Sequence, residues 1–173
     1  IKEKNSLLFV GQHLRDFDTF NKSVPKLAVA IANLQIRVVI HPAYSSKIEP
    51  HSCVDILSDV NDEQLRRLYH QATLLYLHLL DSTACNSLLE AMACGLPIIT
   101  TNVGGNANYL KNTSNILVES GNVDGFINET IALLQDELRL TNMGKSSREK
   151  AIEMDWVNLL KDVNQFYQKM ISQ

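Results

Sequence analysis

Cysteine is scarce in this chain: there are three among 173 residues. They stand at Cys53, Cys85 and Cys94, with no C-x-x-C spacing. A disulfide scaffold and a cysteine-rich zinc site are therefore excluded. His13, His41, His51, His70 and His78 show no metal-ligand spacing either, so no metal is expected. Charge is nearly balanced, with 16 Lys and Arg against 19 Asp and Glu, a net of −3. That is no electrostatic footprint for nucleic acid. The longest apolar run, Leu74–Leu80, carries His78 and falls far short of the ~20 residues that span a bilayer. No signal peptide is evident, which sets a cytoplasmic expectation. Because the chain opens at Ile1, it reads as a domain cut from a longer protein. With only 7 Gly and 4 Pro, no low-complexity segment or interdomain linker stands out.

What is present suits a globular domain. The hydrophobic content is 45%, too high for disorder. A chain of this length buries roughly 70% of its unfolded surface, so residues 1–173 are expected to form one domain. Ser6–Val10 reads as a buried strand ending at Gly11. Phe20, Val24, Leu27 and Ile31 recur at helical spacing, and Pro25 places the start of that helix near Ser23. Arg37–Ile40 and Cys53–Leu57 read as strands. Asn61-Asp62-Glu63-Gln64 resembles a capping box opening a helix through Ala72. Leu74–Leu80 lacks alternation, as a central strand covered on both faces would. Ser87–Cys94 reads as a helix stopped by Gly95, followed by a strand at Pro97–Thr100 and a Gly104-Gly105 loop. After a short strand at Ile116–Val118, helices follow over Val123–Leu134 and Glu137–Glu153. A last helix carries Trp156, Leu159, Leu160, Val163, Phe166, Tyr167 and Met170 on one stripe, taken as core. This alternation predicts a doubly wound, Rossmann-like parallel α/β sheet. Its ligand crevice would lie beyond the carboxyl ends of the strands, walled by the loops Gly11–Phe17, Asp81–Ser87 and Asn102–Asn108.

The stretch from Asp81 to Thr100, with Val103-Gly104-Gly105-Asn106 behind it, resembles the donor-binding segment of retaining glycosyltransferases of family four, of the GT-B fold. The flanks agree: Val10-Gly11, Ser58 to Leu65, Asn115 to Leu134, and Asp155-Trp156. The resemblance implies the C-terminal, nucleotide-sugar-binding half of a two-domain enzyme. Its substrate would be a nucleoside diphosphate sugar, with no cofactor. An N-terminal domain outside this chain would hold the acceptor. The reaction would serve polysaccharide or glycolipid synthesis, with peripheral membrane contact open to the full-length protein.

Residue by residue, Glu90 matches the second acid of the family's Glu, seven residues, Glu motif, which binds the ribose. A carboxylate suits a diol, but Ser87-Leu88-Leu89-Glu90 is also a capping box in its own right. The amides of Asn86, Ser87 and Leu88 at a helix start suit a diphosphate, unless Asn86 and Ser87 only cap. The family's first Glu is replaced by Ser82, and Asp81 is the adjacent carboxylate that a shifted loop would supply. These two are the candidate catalytic residues. In the first loop, Gln12 and Phe17 stand where the family has Arg and Lys. That leaves Gly11, Gln12 and Arg15 as candidate donor contacts, with Arg15 either a diphosphate ligand or paired with Asp16 or Asp18. Gly104 and Gly105 would let backbone approach the ligand. Two other readings stay open: a non-catalytic homologue that binds a nucleotide or partner, and a sugar-nucleotide epimerase of the same fold.

Overall fold

The computed structural model describes residues 2–171. Six parallel strands form one sheet: β1 (Ser6–Val10), β2 (Gln35–Val39), β3 (Val54–Leu57), β4 (Leu74–Leu77), β5 (Ile98–Thr101) and β6 (Ile116–Val118). Their spatial order is β3-β2-β1-β4-β5-β6. In register, Leu8 lies between Arg37 of β2 and Leu75 of β4. Every residue of β1, β4 and β5 is buried, which explains their unbroken apolar runs. Edge strand β3 is only partly covered.

Among the described residues there are seven α-helices: α1 (Phe17–Ala30), α2 (Asp62–Gln71), α3 (Asn86–Ala93), α4 (Asn106–Tyr109), α5 (Val123–Leu134), α6 (Glu137–Glu153) and α7 (Trp156–Ile171). Helix α1 packs against α5, and α3 against α6. The capping box before α2 forms in full: Gln64 N–H donates to Asn61 Oδ1, and Asn61 N–H donates to Gln64 Oε1, both at 2.9 Å. A 3-10 turn at Pro42–Lys47 has no counterpart in the sequence expectations.

The chain runs outward from β1 through β2 to β3, then returns to lay β4 against the other side of β1 and continues to β6. The winding direction therefore reverses between β1 and β4. At that point the connections leave in opposite directions and open a crevice at the carboxyl end of the sheet.

Three expectations need correction. Helix α1 starts at Phe17, not near Ser23, and carries Pro25 in its interior. Asp16 caps it from below, accepting from Thr19 N–H at 3.0 Å and from the Thr19 hydroxyl at 2.6 Å. Burial of Phe20, Val24 and Leu27 outweighs the one hydrogen bond that Pro25 removes, and its ring sits on the exposed side. Strand β4 stops at Leu77 instead of Leu80. The His78 carbonyl turns to accept from Asp16 N–H at 3.1 Å, and Leu79 forms an isolated antiparallel bridge with Arg15. Finally, the stripe on α7 is not core. Trp156 is 75% exposed and Phe166 61%, because α6 is the main element this helix touches.

Candidate functional site

The reversal between β1 and β4 brings together two loops far apart in sequence, Gly11–Asp16 and His78–Cys85, with the start of α3 between them. They enclose a cavity of about 320 Å³ lined by Gly11, His13, Arg15, Asp81, Ser82, Asn86, Ser87 and Glu90, among others. A groove of about 680 Å³ continues past Glu90 between α2 and α3, along Arg66, Tyr69 and Cys94.

Arg15 is the centre of this cleft. Its Nε donates to the Val10 carbonyl at 2.9 Å. One terminal nitrogen donates to the His13 carbonyl and the other to Ser87 Oγ, both at 2.8 Å. The guanidinium thus straps the first loop to the start of α3. Burial lowers its pKa from the ordinary value, and the nearby Cys85 and Tyr69 oppose that shift. An arginine stays charged regardless. Neither expected acid pairs with it: Asp16 caps α1, and Asp18 bonds Lys22 at 2.6 Å. Among the described residues no carboxylate forms an ion pair with Arg15. Gly11 is required beside it. Its φ is +90°, and a Cβ there would lie 2.7 Å from an Arg15 terminal nitrogen.

The expected capping box at Ser87 does not form. Helix α3 begins at Asn86, with Cys85 at the N-cap position and no side-chain cap. Ser87 Oγ instead accepts from Arg15 and lies 3.3 Å from Cys85 Sγ. Glu90 is therefore free of the helix start, and its Oε2 accepts from the Tyr69 hydroxyl at 2.8 Å. Burial, followed by the neighbouring Glu90 charge, pushes the Tyr69 phenol pKa upward, so Tyr69 remains a donor. Among the described residues the Asn86 and Ser87 amides have no partner, whereas Leu88 N–H is taken by the Cys85 carbonyl at 3.0 Å. Two of the three expected amides thus lack a partner among the described residues. Unpaired N–H groups and the helix dipole favour an anion there.

At the far wall, Asp81 is exposed and Ser82 buried. Ser82 N–H donates to Asp81 Oδ1 at 2.7 Å, and the Ser82 hydroxyl has no partner among the described residues. Gly104 and Gly105 hold this loop from behind instead of lining the cavity. Gly104 has φ +50°, and a Cβ there would sit 1.7 Å from the Ser82 carbonyl oxygen; at Gly105 it would be 2.9 Å from that of Thr83. The close approach that glycine permits is thus to the neighbouring loop. Gln12 is half-buried in the first loop and is not among the lining residues.

Sequence reasoning missed Tyr69, whose hydroxyl was hidden in an apolar stripe, and Cys85 at the head of α3. His78 is core, as its place in an apolar run suggested. Its ring lies 3.9 Å from Phe126 and 4.4 Å from Tyr76, and burial lowers its pKa to about 3. Among the described residues no group of three or more His, Cys, Asp or Glu is placed to hold a metal ion.

Fold and cleft together define a Rossmann-like α/β domain with an anion-friendly crevice at its switch point. The family model of glycosyl transferases group 1 matches residues 4–136, most of the chain, and the chain belongs to that family. It is 43% identical over 67 residues to N-acetyl-alpha-D-glucosaminyl L-malate synthase of Bacillus anthracis, covering 38% of this chain and 18% of that protein. It is 27% identical over 154 residues to a GDP-mannose-dependent monoacylated alpha-(1-6)-phosphatidylinositol monomannoside mannosyltransferase of Corynebacterium glutamicum, covering 80% of this chain and 39% of that one. Among solved structures, the GtfA/B complex matches 99% of this chain and 37% of its own, with a TM-score of 0.82 at 14% identity. The chain spans less than half the length of these relatives.

Proposed function

We propose that this chain is the donor-binding half of a retaining glycosyltransferase that takes its sugar from a nucleoside diphosphate sugar. The observation that carries the reading is the Arg15 guanidinium: half-buried, unpaired by any carboxylate among the described residues, and set against the uncapped start of α3. A buried cation without an anionic partner is costly, and a diphosphate supplies the missing charge. Arg15 and the Asn86 and Ser87 amides hold the diphosphate. Glu90, aimed by Tyr69, accepts from the ribose hydroxyls, and Asp81 and Ser82 face the sugar. As the sugar–phosphate bond breaks, charge grows on the leaving diphosphate, where these fixed donors stabilise it. No metal enters this scheme. The acceptor is held by a domain outside this chain, in a cytoplasmic protein. The C. glutamicum relative is named for a nucleotide-sugar donor, which supports the reading. No helix among the described residues is long and apolar enough to cross a membrane.

Uridine, guanosine and adenosine diphosphates are the probes. At least one raises the melting temperature at millimolar concentration, since a ligand preferring the native state stabilises it by mass action. Calorimetry then shows Glu90→Gln weakening that nucleotide by about tenfold to a hundredfold, as for a lost charged hydrogen bond. Arg15→Ala weakens the diphosphate more than the bare nucleoside. Equal binding by parent and both variants would remove these residues from the site.

A further inference from the structure

Of the six arginines in the chain, Arg37, Arg67 and Arg139 pair with carboxylates, and Arg15 belongs to the cleft already described. Arg66 and Arg148 have no carboxylate partner among the described residues, although acids stand close by in sequence. Asp62 precedes Arg66 by four residues on one face of α2, yet the ion pair at that spacing forms next door, between Arg67 and Glu63 at 3.7 Å. On α6, Glu149 and Glu153 are taken by Lys145 and Lys150. Both unpaired guanidinium groups border the same space, the groove of about 680 Å³ between α2 and α3. Arg66 comes to it from α2 and Arg148 from α6. Arg148 reaches that far because α6 packs tightly against the end of α3. A Cβ on Gly144 would lie 2.6 Å from the Gly95 carbonyl oxygen, and Arg148 stands one turn further on. Its Nη1 donates to the Ala93 carbonyl at 2.7 Å, which holds the head group at the C-terminal end of α3.

The groove is asymmetric in charge. Its carboxylates, Asp62 and Glu90, lie toward the starts of α2 and α3, whereas around Cys94 the lining groups are Arg66, His70 and Arg148. Burial raises the Cys94 thiol pKa, Arg66 and Arg148 both oppose that rise, and Glu90 adds to it. Both guanidinium groups are thus within electrostatic reach of one sulfur. Independently of the donor-site reading, we propose that this groove is a second binding site, for a small polyhydroxylated phosphomonoester such as a hexose phosphate. Two guanidinium forks and an imidazole converge from α2 and α6, and a tetrahedral dianion presents oxygens to both forks at once. The volume is that of a metabolite site and exceeds what a bare ion needs. Leu65 and Ala93 supply apolar wall for the body of the ligand. Its hydroxyl groups donate to the Asp62 carboxylate, which no other side chain claims among the described residues. Tyr69 borders this groove and bonds Glu90 at 2.8 Å, so the two sites share a wall.

The test is calorimetric titration of this chain with glucose 6-phosphate and glycerol 3-phosphate, with inorganic phosphate and glucose as the separated parts. At least one phosphomonoester is expected to bind saturably, about tenfold or more tightly than inorganic phosphate, while glucose shows no binding. Arg66→Gln and Arg148→Gln alter exposed side chains and keep the melting temperature. Each weakens the phosphomonoester by about tenfold or more, the scale of a lost charged hydrogen bond. Arg15→Ala leaves that affinity unchanged. The proposal is overturned if neither phosphomonoester binds at millimolar concentration, or if both arginine variants bind as the parent does. Inorganic phosphate matching the esters overturns it too, as the mark of a bare anion patch. Loss of phosphomonoester binding in Arg15→Ala alone assigns the phosphate to the other cleft and overturns the groove site. Phosphomonoester binding that both arginine variants weaken, with no nucleoside diphosphate bound, supports the groove and sinks the donor site.

Discussion

Arg15 and His78 lie near each other at the carboxyl end of the sheet, and burial treats them differently. Arg15 keeps its proton as any arginine does, and Val10, His13 and Ser87 each supply it an acceptor. His78 has no hydrogen-bond partner at either ring nitrogen among the described residues. The groups facing it are the rings of Phe20, Tyr76 and Phe126, so burial lowers its pKa to about 3. The native state therefore binds this proton more weakly than the unfolded chain does. The stability tied to a neutral His78 is complete above the ordinary histidine pKa of about 6.5 and is lost as pH falls toward 3, at up to about 1.4 kcal/mol per pH unit. His78→Leu should flatten the fall in stability between pH 6.5 and 4, measured by denaturant unfolding at several pH values. An identical slope in parent and variant would show that another group governs acid sensitivity.

Helix α1 shows where local rules stop. Pro25 has no N–H for the Asn21 carbonyl, and its ring is exposed, so nothing packed is lost by replacing it. Pro25→Ala should stabilise the chain by about 1–2 kcal/mol, the restored helical bond being partly offset by a freer unfolded chain; urea titration reads the difference. A destabilised variant would mean that the proline sets an angle the core needs. From sequence, Pro25 alone places the start of α1; an Asp cap with Thr three residues later lacks the reciprocal Glu that makes a capping box visible. At α3 the alternative reading of Ser87 and Glu90 as a capping box is the one that fails. Ser87 and Glu90 have the spacing of a capping box, but Arg15 and Tyr69, distant in sequence, claim their side chains. Before α2 the same kind of pattern meets no such competitor, and the box forms. Strand identities were legible because buried parallel strands carry unbroken apolar runs. Their ends were not, since the end of β4 depends on a carbonyl turning toward Asp16.

At the scale of the whole molecule, α7 is the unbalanced part. Trp156, Leu160, Val163, Phe166, Tyr167 and Met170 are all exposed, an apolar surface of the kind that drives association. Ending the chain after Asp155 should cost less than about 1 kcal/mol of unfolding free energy, since little is buried there. It should also reduce concentration-dependent self-association in sedimentation velocity. A large loss of stability on truncation would show that α7 is held more firmly than its exposure indicates. The position of the cleft was readable from strand order and loop placement. Its inner wiring was not, because Arg15 meets Ser87 across 72 residues of chain. That separation bears on the order of events in folding. Strands β1, β2 and β3 are neighbours in both sequence and space, whereas β4 joins β1 only after the intervening chain has closed a long loop, a cost met before its contacts form. The crevice is consequently absent from any partly folded form that lacks the β1–β4 pairing. Any ligand held in that crevice therefore lengthens the lifetime of the finished molecule without hastening its arrival.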